Sequence, residues 1–599
     1  KDRLVTSGVR FLTAVANSVH SSLFGGGDVL RQVCESIVIP NLTFTEDDEE
    51  LFESNHVEYV RRDIEGSDSD TRRRGACELV RALTLKFPEV MTSSVSGYVG
   101  ALLAQHASDP AANWKAKDAA VTLVVALLVK AKTNARGATE LNELGLSVVD
   151  FFNTQIAPEF TRAATDGGAS GNDVGTAVTR ADALKFVTVF RGFLPKAIVA
   201  PHLPAIVACL RARENVTHTY AANCLDKLLA VRESEPNANA IRFTGKTPRY
   251  DASDLAPVSD ALFSNLFGVF DMPDSRENEY AMRAVVRVID VLGERVKPLA
   301  SACVQKFAAF LAETCANPKN PTFSHFLFEG VSGLLRHAAT DTQSMAAFEQ
   351  ALFPPFQFVL QQDVVEFAPY VFQLLAQMIE ARNCDNGDAL PAAYLGIFPA
   401  LLAPSLWDRQ ANVTPLVRLL EAYLRKAPRE IASGAASGPG AANHLTGVLG
   451  VFQKLAASRA QDHQGFFILN ALAECLPLAA WRAHLPAVWG VLFQRLQTSK
   501  TAKFTKCLVV FTCLLCAKHG PGCVEETTAA VQPGIFEMLV KSVVAPAVPS
   551  VAGAVETKVV AVAVANVLSA SAGIKGDLPA WCALLSAAVA TLEKPQEAK

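Results

Sequence analysis

The 599-residue sequence predicts an all-α solenoid of stacked helical hairpins, and three observations carry that prediction. Apolar residues recur at helical spacing: Ala76, Leu79, Leu83 and Phe87 in one segment, Ala222, Leu225, Leu228 and Leu229 in another. Steps of three or four lay an apolar stripe along one side of a helix. Signals for β-hairpins are nearly absent, and the one Asn-Gly pair, Asn386–Gly387, sits between helical segments. Finally, a loose repeat runs through the chain. RRRGACELVRAL (72–83), KAKDAAVTLVVAL (115–127), HTYAANCLDKLL (218–229) and EYAMRAVVRVI (279–289) each open on a polar patch, pass a small residue and continue as an apolar stripe.

Ala76, Ala120, Ala222 and Ala284 occupy comparable places in these segments, at intervals of 44, 102 and 62 residues. An irregular period near about 40–60 residues suits HEAT-type hairpins with insertions. A small residue there lets helices approach closely. One hairpin cannot bury its own stripe, so neighbours stack, and about 13 hairpins fit this length. Three polar, Gly- or Pro-containing stretches, Asp166–Thr176, Glu233–Asp251 and Ala432–Asn443, read as connections inside one continuous solenoid over 1–599. Gly25–Gly27 reads as a turn.

Composition narrows the function. Half the residues are apolar and 19% charged, enough for a large core. A net charge of −4, with no long Lys/Arg run, argues against nucleic acid as a partner. No apolar run reaches the roughly 18 residues of a membrane span; Ala119–Val129 and Val559–Ala565 are too short. Thirteen scattered cysteines do not resemble a secreted disulfide framework. The three N-x-T sequons, at Asn41, Asn215 and Asn412, carry no weight. The sequence begins at Lys1 as though inside a helix pair, so further N-terminal repeats are expected.

The densest chemistry lies at 43–74, in the first repeat. Glu46–Glu53 holds six carboxylates in eight residues. Thr45 is placed to cap that helix with Asp48 three residues on, and acids suit a first turn. Val57–Arg74 (VEYVRRDIEGSDSDTRRR) then brings Arg61 and Arg62, Gly66 as a turn point, and Arg72–Arg74. Most charge runs are only solvated faces. Here Leu51, Phe52, Val57, Tyr59 and Ile64 supply apolar anchors, and arginine forks match carboxylates and phosphates bidentately, so a docking element stands as the sharper alternative to a solvated helix and hairpin.

Catalytic and metal signatures are weak. Cys513, Cys516, His519 and Cys523 have near-zinc spacing, but Cys507–Lys518 reads as an apolar helix in which the thiols are core residues. No P-loop, G-x-S-x-G elbow or H-E-x-x-H pattern occurs. The segment Asn317–Glu329, with three phenylalanines, reads as core packing rather than a ligand groove. Neither an enzyme nor a cofactor is expected.

Several stretches, in order along the chain, resemble the CAS-type exportins of the importin-beta (karyopherin) superfamily. They include ELFESNHVEYVRRDIEGSDSDTRRRGACELV (50–80), VTHTYAANCLDKLLAVR (216–232), NPKNPTFSHFLFE (317–329), LGVFQKLAASRAQDHQGFFILN (449–470) and LFQRLQTSKTAKFTK (492–506). The charged insertion with the DHQGF and SKTAKF stretches makes the set specific. The resemblance implies a right-handed superhelix of about twenty HEAT repeats in the complete protein, of which this chain holds the middle and much of the C-terminal arch. The main Ran-docking repeats at the N-terminus and the last C-terminal repeats would lie outside it.

The resemblance also implies a function: export of importin-alpha to the cytoplasm in a complex with Ran in the GTP form, passage among nuclear pore proteins, and shuttling between nucleus and cytoplasm without catalysis. The insertion would be the family's hinge or partner-binding element. Glu53, Tyr59, Arg61, Arg62, Asp63, Glu65, Gly66, Asp68, Asp70, Thr71, Arg72, Arg73 and Arg74 match its pattern. A generic HEAT scaffold, binding partners without nucleotide dependence, is the alternative.

Overall fold

The structure, a computed structural model, describes residues 2–64, 71–130, 137–138, 140–142, 146–168, 173–233, 247–382, 389–433 and 443–593. Among the described residues the regular elements are helices, and the bridges between extended residues are isolated ones such as Val129 with Leu141 and Arg232 with Pro248. The chain divides into two compact units, Lys1–Ala338 and Ala339–Lys599. That division falls at none of the three polar stretches singled out above.

The first unit begins with α1 (Asp2–Asn17) and α2 (Gly27–Val33), which continues through a π-turn at Cys34–Val38 into Ile39–Leu42. Next come α3 (Glu46–Ser54), α4 (His56–Ile64), α5 (Arg72–Lys86), α6 (Pro88–Ser108) and α7 (Trp114–Leu128). Then follow α8 (Ala157–Thr165), α9 (Val174–Phe190), α10 (Asn215–Leu229), α11 (Glu279–Leu292), α12 (Ala300–Ala316) and α13 (Pro321–Ala338). One layer is the row α1, α5, α7, α9, α10, α11, α13, each helix packed on the next. The other layer backs it, with the end of α2 on α5, α6 on α7, α8 on α9 and α12 on α13. Residues 43–64 are therefore part of an excursion between the two helices of one hairpin. In the second unit α14 (Ala368–Ala381), α15 (Gln410–Lys426), α16 (Asp462–Cys475), α17 (Ala502–His519) and α18 (Ala554–Ala570) stack in the same way.

The local sequence explains the row. Ala76, Ala120, Ala222 and Ala284 are all fully buried, in the row helices α5, α7, α10 and α11. The small side chain is what lets neighbouring stripes close. Gly175 does the same for α9: a Cβ there would lie 2.5 Å from the Trp114 ring, so only glycine fits. α5 starts at Thr71, whose hydroxyl accepts the Arg74 N–H at 3.2 Å. It stops at Phe87, because Pro88 can open a helix but not continue one.

Some expectations are corrected. Val174–Thr176 is the first turn of α9, not loop, because Asp173 caps it with bonds to Gly175 and Thr176. Val57 is 63% exposed and does not anchor the insertion. Asn386–Gly387 lies outside the described residues. Of the three phenylalanines in Asn317–Glu329, Phe323 and Phe328 are buried, whereas Phe326 lies under the Arg283 guanidinium at 4.7 Å. Cys513 and Cys516 are buried on α17 as core residues, where burial raises both thiols, Cys513 to about 12. No single helix among the described residues is long and apolar enough to cross a membrane.

Candidate functional site

The insertion is seated by aromatic burial before any charge acts. Phe44 and Phe52 are 2% and 3% exposed. Phe52 meets Tyr59 edge-on at 5.2 Å, and Phe44 meets Trp114 of α7 at 5.3 Å. Each buried phenylalanine contributes roughly 1.5–3 kcal/mol, so the aromatic seat outweighs the exposed charge pairs around it. α3 begins as the sequence predicts: the Thr45 N–H and hydroxyl donate to the Asp48 carboxylate at 2.9 and 2.7 Å.

From this seat α4 reaches across the row. Asp63, near its C-terminal end, accepts from Lys185 of α9 at 2.5 Å and from the Tyr220 hydroxyl of α10. Burial would raise the Asp63 pKa, but the Lys185 charge and these two hydrogen bonds more than offset that and hold it below the usual range. At the other end of α4, His56 Nδ1 lies 3.3 Å from the Asn215 amide of α10. Asn215 in turn is 2.8 Å from the Ser275 hydroxyl, which is 2.7 Å from Nε2 of the buried His218. Burial drives His218 down to about 4, so it is neutral, and Nδ1–H donates to the Ala212 carbonyl at 3.0 Å.

The three consecutive arginines point to three places. Arg72 donates to Thr45 Oγ1 at 3.0 Å and pairs with Asp48 at 3.4 Å, tying α5 to the start of α3. Arg73 donates to Asp118 at 2.7 Å and to Thr122 at 2.9 Å, both on α7, and its guanidinium lies 5.2 Å from the Phe44 ring centroid. Arg74 pairs with Glu78 one turn on, at 3.3 Å. Glu53, Arg61 and Arg62 are exposed, Arg62 bonding Glu58 at 2.6 Å. Glu65, Gly66, Asp68 and Asp70 lie outside the described residues. The structure thus gathers Tyr59, Asp63, Arg72 and Arg73 into one cluster and leaves Glu53, Arg61 and Arg62 facing outward.

Between α4, α5, α7 and α9 lies a cavity of about 350 Å³. Its lining includes apolar Val121, Val125, Phe186 and Val189 and charged Asp63, Arg73, Arg81, Asp182 and Lys185. Sequence reasoning missed Asp118, Asp182, Lys185 and Tyr220. Their partners lie on other helices, and only the fold brings the four together beneath α4. Among the described residues no group of His, Cys, Asp and Glu side chains is arranged to hold a metal.

Two family descriptions match this chain in sequence order: "Cse1" over residues 1–225 and "CAS/CSE protein, C-terminus" over 240–599. Exportin-2 of Oreochromis niloticus is 40% identical over the full length of this chain, and Exportin-2 of Homo sapiens 38%. The chain spans 59% of the length of each of these proteins. The solved structure of the exportin Cse1 in its cargo-free, cytoplasmic state superposes with a TM-score of 0.82 at 28% identity, covering 99% of this chain and 59% of that one. The transport receptor Lph2 of S. cerevisiae shares the fold, with a TM-score of 0.65 at 11% identity over 99% of this chain and 60% of its own. With a HEAT-type helical row and family matches along nearly the whole length, the chain belongs to the CAS/CSE family of exportins.

Proposed function

We propose that the complete protein is a non-catalytic nuclear export receptor that carries importin-alpha to the cytoplasm in a complex with Ran in the GTP form. The observation that supports this most is the pair of family matches, which together run through nearly the whole chain. Shuttling through nuclear pores and contact with pore proteins follow from the same reading. Coupled binding suits a stacked solenoid: each ligand prefers one arrangement of the row, so binding of the first lowers the strain the second must impose.

Within the insertion the residues divide into two roles. Glu53, Arg61 and Arg62 face outward and are the contacts offered to a partner. Tyr59, Asp63, Arg72 and Arg73 hold the insertion in place, and Arg74, paired with Glu78 of its own helix, belongs to the proposed hinge element by sequence pattern. Glu65, Asp68 and Asp70 belong to the proposed partner contact by sequence pattern alone.

The test is gel filtration of the complete protein with importin-alpha and either Ran·GTP or Ran·GDP. A ternary complex only with Ran·GTP is expected; binding indifferent to the nucleotide ends the reading. Charge reversal of Arg61→Glu with Arg62→Glu is expected to weaken the Ran·GTP-dependent complex about tenfold or more with melting unchanged. An unaltered complex removes these two residues from the partner surface.

A further inference from the structure

In the second unit α16 and α17 lie side by side with their starts level. Phe466 of α16 meets Phe504 and Phe511 of α17 at 5.2 and 6.4 Å between ring centroids, and all three rings are buried. At the same end the buried Arg495 donates to the Asp462 carboxylate and to the Ser499 carbonyl, each at 2.6 Å. That link holds the turn before α16 beside the turn before α17. Phe467, next to the buried Phe466, is 47% exposed. Its ring stands 6.4 Å from that of His463, one turn earlier on α16, and Lys503 of α17 is within electrostatic reach of His463.

The charge at this end is one-sided. Arg459, Lys500, Lys503 and Lys506 are exposed, and among the described residues none has an ion-pair or hydrogen-bond partner. Asp462, the carboxylate that opens α16, is already taken by Arg495. Other junctions differ, since an acid on one helix meets a cation on the next: Asp226 with Arg287 at 3.1 Å, Glu380 with Arg418 at 2.7 Å. The lysines of α17 have no such acid. Nor does the stability of α17 account for them. Its first turn holds Lys503 and no acid, and a cation there opposes the helix dipole. In a chain of net charge −4, four unpaired cations beside an exposed phenylalanine form a surface complementary to negative charge with an apolar part.

We propose that the face of α16 and α17 carrying Phe467, Lys500, Lys503 and Lys506 is a docking surface for an acidic segment of a partner polypeptide, with an apolar side chain set among its carboxylates. The carboxylates pair with the lysines and supply the negative charge that the start of α17 lacks, while the apolar side chain covers Phe467. Lys503 and Lys506 are about 4.5 Å apart along the helix axis, and alternate residues of an extended chain about 7 Å apart, so flexible lysines reach acids at alternate positions. Four cations are few for a nucleic-acid track, which engages roughly 6–10 phosphates in a salt-sensitive complex. The surface lies wholly within the second unit, apart from the insertion, so the inference does not rest on the proposed cargo.

Fluorescence anisotropy with the complete protein tests it. The probe is a fluorescein-labelled peptide of six Asp and Glu residues around one phenylalanine. The wild type is expected to bind it. Lys503→Glu with Lys506→Glu is expected to weaken binding about tenfold or more, and Phe467→Ala about fivefold. The double reversal places acids at a helix N-terminus, so its melting temperature should be unchanged or raised, and a loss of binding is then a loss of contact. If the reversal fails to give the native helical circular dichroism, Lys503→Gln with Lys506→Gln is the second variant, expected to weaken binding about fivefold. No binding at up to about 1 mM peptide, or binding unaltered by the lysine substitutions, overturns the proposal. So does equal affinity for the peptide with alanine in place of phenylalanine, or tighter binding of a labelled thymidine octamer, which would make the patch a site for nucleic acid instead.

Discussion

The junctions α5–α7 and α14–α15 carry the same kind of link at two depths. In the first, Arg73 meets Asp118, whose side chain is fully buried. In the second, Arg418 grips Glu380 with two bonds of 2.9 and 2.7 Å, but the side chains are 46% and 35% exposed. By hydrogen-bond geometry alone the second is the better pair. Burial reverses the ranking, because water replaces a lost partner at the surface and cannot do so beneath α4. The insertion is what turns an ordinary link between stacked helices into one on which the row depends.

The largest effect should come from Asp118→Ala, which strands Arg73 in a buried place. A loss of about 3–5 kcal/mol is expected for the first unit, read as a lower denaturant midpoint. A loss under about 1 kcal/mol would put the two junctions on equal footing. Acid should weaken the first unit at a different place, on α10. His218 is neutral when folded, with its pKa depressed to about 4, so the folded state binds fewer protons than the unfolded one. Stability is then lost as pH falls from about 6.5 toward about 4, by up to roughly 3 kcal/mol. His218→Gln should flatten that part of the urea-denaturation profile. The smallest effect is expected at Glu380→Ala, about 0–1 kcal/mol and reduced further by salt; a loss as large as that of Asp118→Ala would end the comparison.

The row of helices was legible in the sequence because its cause is periodic. Ala76, Ala120, Ala222 and Ala284 recur with their stripes, and each is buried where two helices meet. The capping pair Thr45 and Asp48 was legible because its partners are three residues apart. The cluster beneath α4 was not. Asp63 finds Lys185 and Tyr220 more than a hundred residues away, and no local pattern reports a contact over that separation. The arginine triplet also misleads as a run. Consecutive helical residues point about 100° apart, so three like charges in sequence became three separate attachments.

Asp63 touches two neighbouring helices of the row, with Lys185 on α9 and Tyr220 on α10. Mechanically it is a staple across one joint. A stack that flexes by small rotations at every joint cannot flex freely at a stapled one. Strain applied along the first unit is therefore displaced to the joints on either side until the staple lets go, and the row stiffens or softens at that point by the state of a single carboxylate.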